Sequence, residues 1–147
     1  MTKKLSLLFL ICILSALNIN AEVYEGSCGA DGDNVKYSLD TSTGLLSITG
    51  TGAMKNYGSY SSVPWYSNKS YIKVVEISDG VTSIGERAFY YCSGLTSVTI
   101  PASVTSLEGA FTSCPSLTKV ILNNRTFASE YSFIKRLIYT FDRVYGT

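Results

Sequence analysis

"GVTSIGERAFYYCSGLTSVTIPASVTSLEGAFTSCPSLTKVIL", residues 80–122, states one pattern twice. Ile77, Val81 and Ile84 recur as Ile100, Val104 and Leu107, at an offset of 23 in each case. Ala88, Phe89, Cys92, Leu95 and Val98 recur as Ala110, Phe111, Cys114, Leu117 and Val120 at an offset of 22, so the second copy is one position shorter between Leu107 and Ala110. Upstream, Ile72, Val75 and Ile77 precede Leu95, Val98 and Ile100 by the same 23. A period of this length marks stacked units, each of which hides its apolar edge on the next.

The recurring rungs are "IKVVEI", "LTSVTI" and "LTKVIL". Each alternates apolar and polar positions, which buries one side of an extended segment, and Val and Ile suit such a half-buried pleated surface. The segments that follow, "GERAFYYC" and "EGAFTSC", carry Ala-Phe-x-x-Cys. The spacing predicts that the Phe plugs the gap between coils while Ala and Cys, both small, let neighbouring coils approach.

Taken in order, the strand, the turn, "VTSIG", "AF" and Cys resemble the BspA-type leucine-rich repeat of bacterial and protozoan surface proteins. The resemblance covers residues 70–122 and implies a ladder of short parallel strands with an irregular opposite side. The chain departs from the pattern twice. Ser78-Asp79 stands where the second copy has Pro101-Ala102, and Glu108-Gly109 replaces Gly85-Glu86-Arg87. The expected fold is mainly β: a short leucine-rich-repeat solenoid of about two coils and three parallel rungs, with an N-terminal β-hairpin cap and a C-terminal amphipathic helix.

"MTKKLSLLFLICILSALNINA" has Lys3 and Lys4, an apolar run from Leu5 to Leu17, and Ala21 at a cleavage position. It reads as a secretory signal peptide over residues 1–21. A single membrane anchor is the other reading of that run, which falls short of the ~20 residues needed to span a bilayer. Bulky Phe9 and Ile11 before Cys12 do not fit a lipoprotein cysteine. Without residues 1–21 the chain keeps 12 − 2 = 10 basic residues against 11 acidic ones, a net charge of −1. Such a balance gives no field to draw nucleic acid or anionic lipid.

Residues 22–70 form the expected cap. "VKYSL" and "LLSITG" are strand-like and flank "DTSTG", a turn-forming stretch, which predicts a hairpin. "NYGSYSSVPWYSNKS" follows as a polar loop anchored by aromatics, Trp65 the largest. This N-terminal segment is also similar to the one that precedes the repeats in the same family. The repeats occupy residues 71–124. In residues 125–147, Phe133, Leu137, Ile138, Phe141 and Val144 or Tyr145 fall at helical spacing, which predicts an amphipathic helix over about 130–145. The segment carries +2 (Arg125, Lys135, Arg136 and Arg143 against Glu130 and Asp142). It is read as a cap over the last coil, as a partner- or membrane-facing helix, or as the remnant of a longer array.

Catalytic chemistry is sparse. The sequence has no His, which removes the usual general base and the commonest zinc ligand. Glu76, Asp79, Glu86 and Glu108 sit at polar positions of coils and turns. "DGDN", residues 31–34, spaces oxygen ligands tightly but lacks a full calcium-loop pattern, and an Asx turn explains it. "GTGAM" lacks the Lys of a phosphate loop. No cofactor is expected. Cys92 and Cys114 hold equivalent sites on adjacent coils, where register allows a disulfide and burial favours free thiols.

The chain is therefore expected to be a secreted or cell-surface adhesion module that binds an extracellular protein or glycan, not an enzyme and not a nucleic-acid binder. The alternative is a carbohydrate binder using aromatic rings of the cap and loops, suggested by 11 Tyr and Trp65. Alternation buries Val75, Ile77, Val98, Ile100, Val120 and Leu122, which places Val74, Glu76, Ser97, Thr99, Lys119 and Ile121 on the exposed strand face as the candidate binding residues. Three rungs make that face only ~10 Å across.

Overall fold

The structure is a computed structural model that describes residues 21–107 and 109–123. Of the expected leader, residues 1–20 lie outside the described residues, as does the whole of the expected helix over 130–145. Among the described residues eight strands follow one another: β1 (Val23–Gly29), β2 (Gly32–Asp40), β3 (Leu45–Gly50), β4 (Gly52–Ala53), β5 (Val74–Ile77), β6 (Val81–Ser83), β7 (Ser97–Pro101) and β8 (Lys119–Asn123). Two 3₁₀ helices, Tyr60–Ser62 and Tyr66–Tyr71, lie between β4 and β5.

The fold is mainly β, and its main sheet, over the described residues, has six strands in the order β1-β2-β3-β5-β7-β8. The rungs at β5, β7 and β8 pair in parallel, with Val75 opposite Val98 and Val98 opposite Val120. The sheet as a whole is mixed, because the expected hairpin is continuous with the parallel rungs rather than a separate cap. β1, β2 and β3 are antiparallel, and β3 then runs parallel to β5, with Leu46 opposite Val75 and Ile48 opposite Ile77. The ladder thus gains a fourth parallel strand from the N-terminal segment, and the predicted hairpin gains an outer strand, β1.

The hairpin turn forms where "DTSTG" placed it. The Asp40 carboxylate accepts from the Ser42 hydroxyl at 2.6 Å and the Ser42 N–H at 2.8 Å, which holds its pKa below the usual range. Gly44 closes the turn at φ +74, a left-handed conformation open to glycine, and a Cβ there would meet the Tyr71 carbonyl at 2.6 Å.

The segment after β3 is a coil in disguise. β4 pairs in parallel with β6, and Ser83 of β6 bridges in parallel to Ser106, so a second, short ladder runs beside the first. Met54, Ile84 and Leu107 are all buried at corresponding places on it. Gly85 marks how closely the coils approach: a Cβ there would lie 1.8 Å from the Lys55 carbonyl oxygen. Across the far side, Phe89 N–H donates to the Ala110 carbonyl and Tyr91 N–H to the Thr112 carbonyl, at 2.9 and 3.2 Å. Thr96 and Thr105 add hydroxyl bonds to Lys73 and Thr82 carbonyls of the preceding coil.

The core is one continuous cluster. At its centre stand three rings: Trp65 stacks on Phe89 at 5.5 Å and 17°, and Phe89 on Phe111 at 5.0 Å and 7°. Trp65 Nε1–H donates to the Ala88 carbonyl at 2.9 Å. The Phe residues therefore fill the space between coils, and Trp65 continues their column into the N-terminal segment. Cys28, Cys92 and Cys114 are buried free thiols. Burial pushes Cys28 and Cys92 up to about 12, and burial likewise takes Cys114 to about 11.

Candidate functional site

The open face of the six-stranded sheet collects the polar residues that alternation turns away from the core. Register sets them in rows across the strands. One row runs Val23, Asp40, Leu45, Val74, Ser97, Lys119; the next runs Glu25, Ser38, Ser47, Glu76, Thr99, Ile121. Val75, Val98 and Ile100, on the other side of the same strands, are fully buried. Glu76 and Lys119 are exposed, and Val74, Ser97, Thr99 and Ile121 half-buried, so the six residues chosen from the sequence share one face.

Two shallow grooves lie on that face and meet at Thr49. The first, about 470 Å³, is lined by residues including Ser47, Glu76, Thr99 and Ile121; the second, about 390 Å³, by Glu25, Lys36 and Ser38 among others. "VKYSL" and "LLSITG" read in sequence only as hairpin strands, so Lys36, Ser38, Ser47 and Thr49 are not among the candidates, although the same alternation places them on this face. Glu25 was missed because "VYEGSCG" did not read as a strand, although Val23, Glu25 and Ser27 alternate with Tyr24 and Cys28. The face over the described strands is thus about two and a half times as wide as three rungs would make it, ~24 Å over five strand gaps.

The face is polar and mixed in charge. Glu25 accepts from the Ser38 hydroxyl at 3.1 Å, Ser27 bonds Asp33, and charges of both signs stand among Ser and Thr hydroxyls. Within "DGDN", the Asn34 side chain accepts from Asp31 N–H at 3.1 Å and donates to the Thr51 carbonyl at 2.9 Å, stitching the β1–β2 turn to the chain after β3. Among the described residues, no group of three or more acidic or cysteine side chains is placed to hold a metal ion. No helix of the described residues is long and apolar enough to cross a membrane. Trp65, the aromatic singled out for sugar contact, is only 1% exposed and belongs to the core.

Comparison with known proteins bears on the same architecture. The family model described as "BspA type Leucine rich repeat region (6 copies)" matches residues 62–141. A leucine-rich repeat protein from Eubacterium ventriosum, known from its crystal structure, is similar at 32% identity and a TM-score of 0.63, over 71% of this chain and 27% of its own. A leucine rich cell surface protein from Faecalibacterium prausnitzii is 20% identical over 69% of this chain and 31% of its own, with a TM-score of 0.40. The chain thus spans about a quarter to a third of the length of these two proteins. A search of curated proteins found no match. With its two coils stacked in register and the family match running over more than half its length, this chain belongs to the BspA-type leucine-rich repeat family.

Proposed function

We propose that the protein is a secreted or cell-surface interaction module that binds an extracellular protein on the open face of its sheet and carries out no catalysis. The observation that carries this reading is the pair of adjoining grooves across six strands, floored by paired backbone and lined by Ser, Thr, Glu and Lys. A backbone fully committed to the sheet is rigid, and rigid presentation of varied polar side chains lowers the entropy lost on binding. The apolar leader with its two lysines supports export, and the family is one of surface proteins.

Over the described strands the face measures roughly 24 Å by 15 Å, or about 360 Å² in plan, a little under half of a standard partner footprint of ~800 Å². Binding through these described strands alone is accordingly weak. The test is a host-protein array probed with the chain, followed by titration of any hit with the Glu76→Lys, Lys119→Glu double variant. The expected result is affinity lower by about tenfold with an unchanged melting temperature. Unchanged affinity would remove the open face as the site.

A further inference from the structure

We propose a second recognition site, independent of the sheet face: a tyrosine patch around Lys69 that binds a carboxylate-bearing pyranose sugar. Tyr66, Tyr60, Tyr90 and Tyr91 form a run of neighbouring rings, with centroids 5.8, 5.5 and 4.7 Å apart in that order. Tyr60, Tyr66 and Tyr91 are 43%, 36% and 53% exposed. The Lys69 ammonium lies 4.6 Å from the Tyr66 ring centre and 5.4 Å from that of Tyr60. The two rings therefore hold the cation in place. A small cleft, lined by Tyr60, Tyr66, Lys69 and Tyr90 among others, opens beneath.

The coil does not need these rings. One period on, Tyr90 and Tyr91 correspond to Thr112 and Ser113 in the next coil, which folds the same way without aromatics there. Tyr91 and Ser113 share a left-handed backbone, φ 58 and 62. A bulky side chain holds that left-handed conformation only at an energetic cost. Tyr60 sits in the extra length between Met54 and Trp65, an offset of 11 where Ile84 and Phe89 are offset by 5. Residues outside the repeat's requirements thus meet in one exposed cluster, and exposed aromatic patches mark binding sites.

Charge selects the ligand. Residues 41–75 and 87–107 contain Lys55, Lys69, Lys73 and Arg87 and no Asp or Glu. Among the described residues, the ion pair found is Glu86–Arg87, and Lys69 has no carboxylate partner. An anion is therefore the complementary ligand. Ring faces accept the axial C–H face of a pyranose, phenol and serine hydroxyls match its hydroxyls, and the ammonium meets a ring-borne carboxylate. Nucleic acid would need a run of phosphate-binding cations, and this chain beyond residue 21 is balanced at 10 basic to 11 acidic residues.

The test titrates the protein with trigalacturonate and, as its neutral counterpart, galactotriose, by calorimetry. The acidic sugar is expected to bind about tenfold more tightly, with that preference lost in Lys69→Gln. Tyr91→Ser, which installs the next coil's own residue and so keeps the fold, should weaken both sugars, with an unchanged melting temperature as the control. The Glu76→Lys, Lys119→Glu variant should bind trigalacturonate normally, which separates this site from the sheet face. No binding of trigalacturonate by the unaltered protein, or equal binding by Lys69→Gln and Tyr91→Ser, would overturn the proposal. A dinucleotide binding as tightly as trigalacturonate would overturn it too.

Discussion

Phe89 and Phe111 each meet a stacked ring and are fully buried, so neither can be truncated without leaving a hole between coils. Phe89→Ala and Phe111→Ala should each cost about 3–5 kcal/mol, read as a shift in the denaturation midpoint. Phe89 touches rings on both sides and should sit at the upper end. Tyr57 argues the other way. Its hydroxyl is buried with no hydrogen-bond partner among the described residues, so Tyr57→Phe should leave stability unchanged or raise it by ~1 kcal/mol, measured by the same denaturation. The thiols add a pH dependence. Below pH 9.0 folded and unfolded chains both keep their thiol protons; above it the unfolded chain loses protons that folded Cys28 and Cys92 retain up to about 12. Stability should therefore fall as pH rises through that window, and replacing Cys28 and Cys92 by Ala should flatten the fall. At pH 8 these thiols should resist a thiol reagent until the chain unfolds.

At the scale of elements, the rungs were legible because each repeats three apolar positions at a nearly constant offset, and the hairpin because "DTSTG" has few other uses. The coil hidden in the N-terminal segment was not legible. Leu46 and Ile48 stand at an offset of 29 from Val75 and Ile77, so a comparison at 23 passes over them. Its plug is Trp65 in place of Phe, and its Gly52 and Ala53 stand where the next coil has Val81 and Ser83. β1 was missed because Gly26 and Gly29 interrupt its alternation. The six face residues were found because strand periodicity fixes sidedness, whereas the tyrosine patch joins residues from a loop and a turn that only the fold brings together. Gly85 carries an element-scale prediction: Gly85→Ala would drive a methyl into the Lys55 carbonyl, costing at least the ~1–3 kcal/mol typical of overpacking, measured by thermal melting.

For the whole molecule, one sheet and one ring column join the N-terminal segment to the repeats, so no seam divides them. The protein should unfold in a single transition. Fluorescence of Trp65, the sole tryptophan, and far-UV circular dichroism should report the same midpoint. A fluorescence change that precedes the loss of sheet signal would mean that the N-terminal segment melts by itself.

The stack of Trp65, Phe89 and Phe111 also sets a rule for how such a chain can change length. Each plug meets the next in nearly the same way, so a whole coil inserted between them presents old surfaces to both neighbours. Lengthening by one full period is neutral to the fold, whereas a step of half a coil would leave a ring without a mate. The single-position loss between Leu107 and Ala110 falls away from the main ladder, where small drift is absorbed. Evolution can therefore treat the coil as an indivisible quantum, adding ~4.8 Å of face per step while the strands on either side stay as they are.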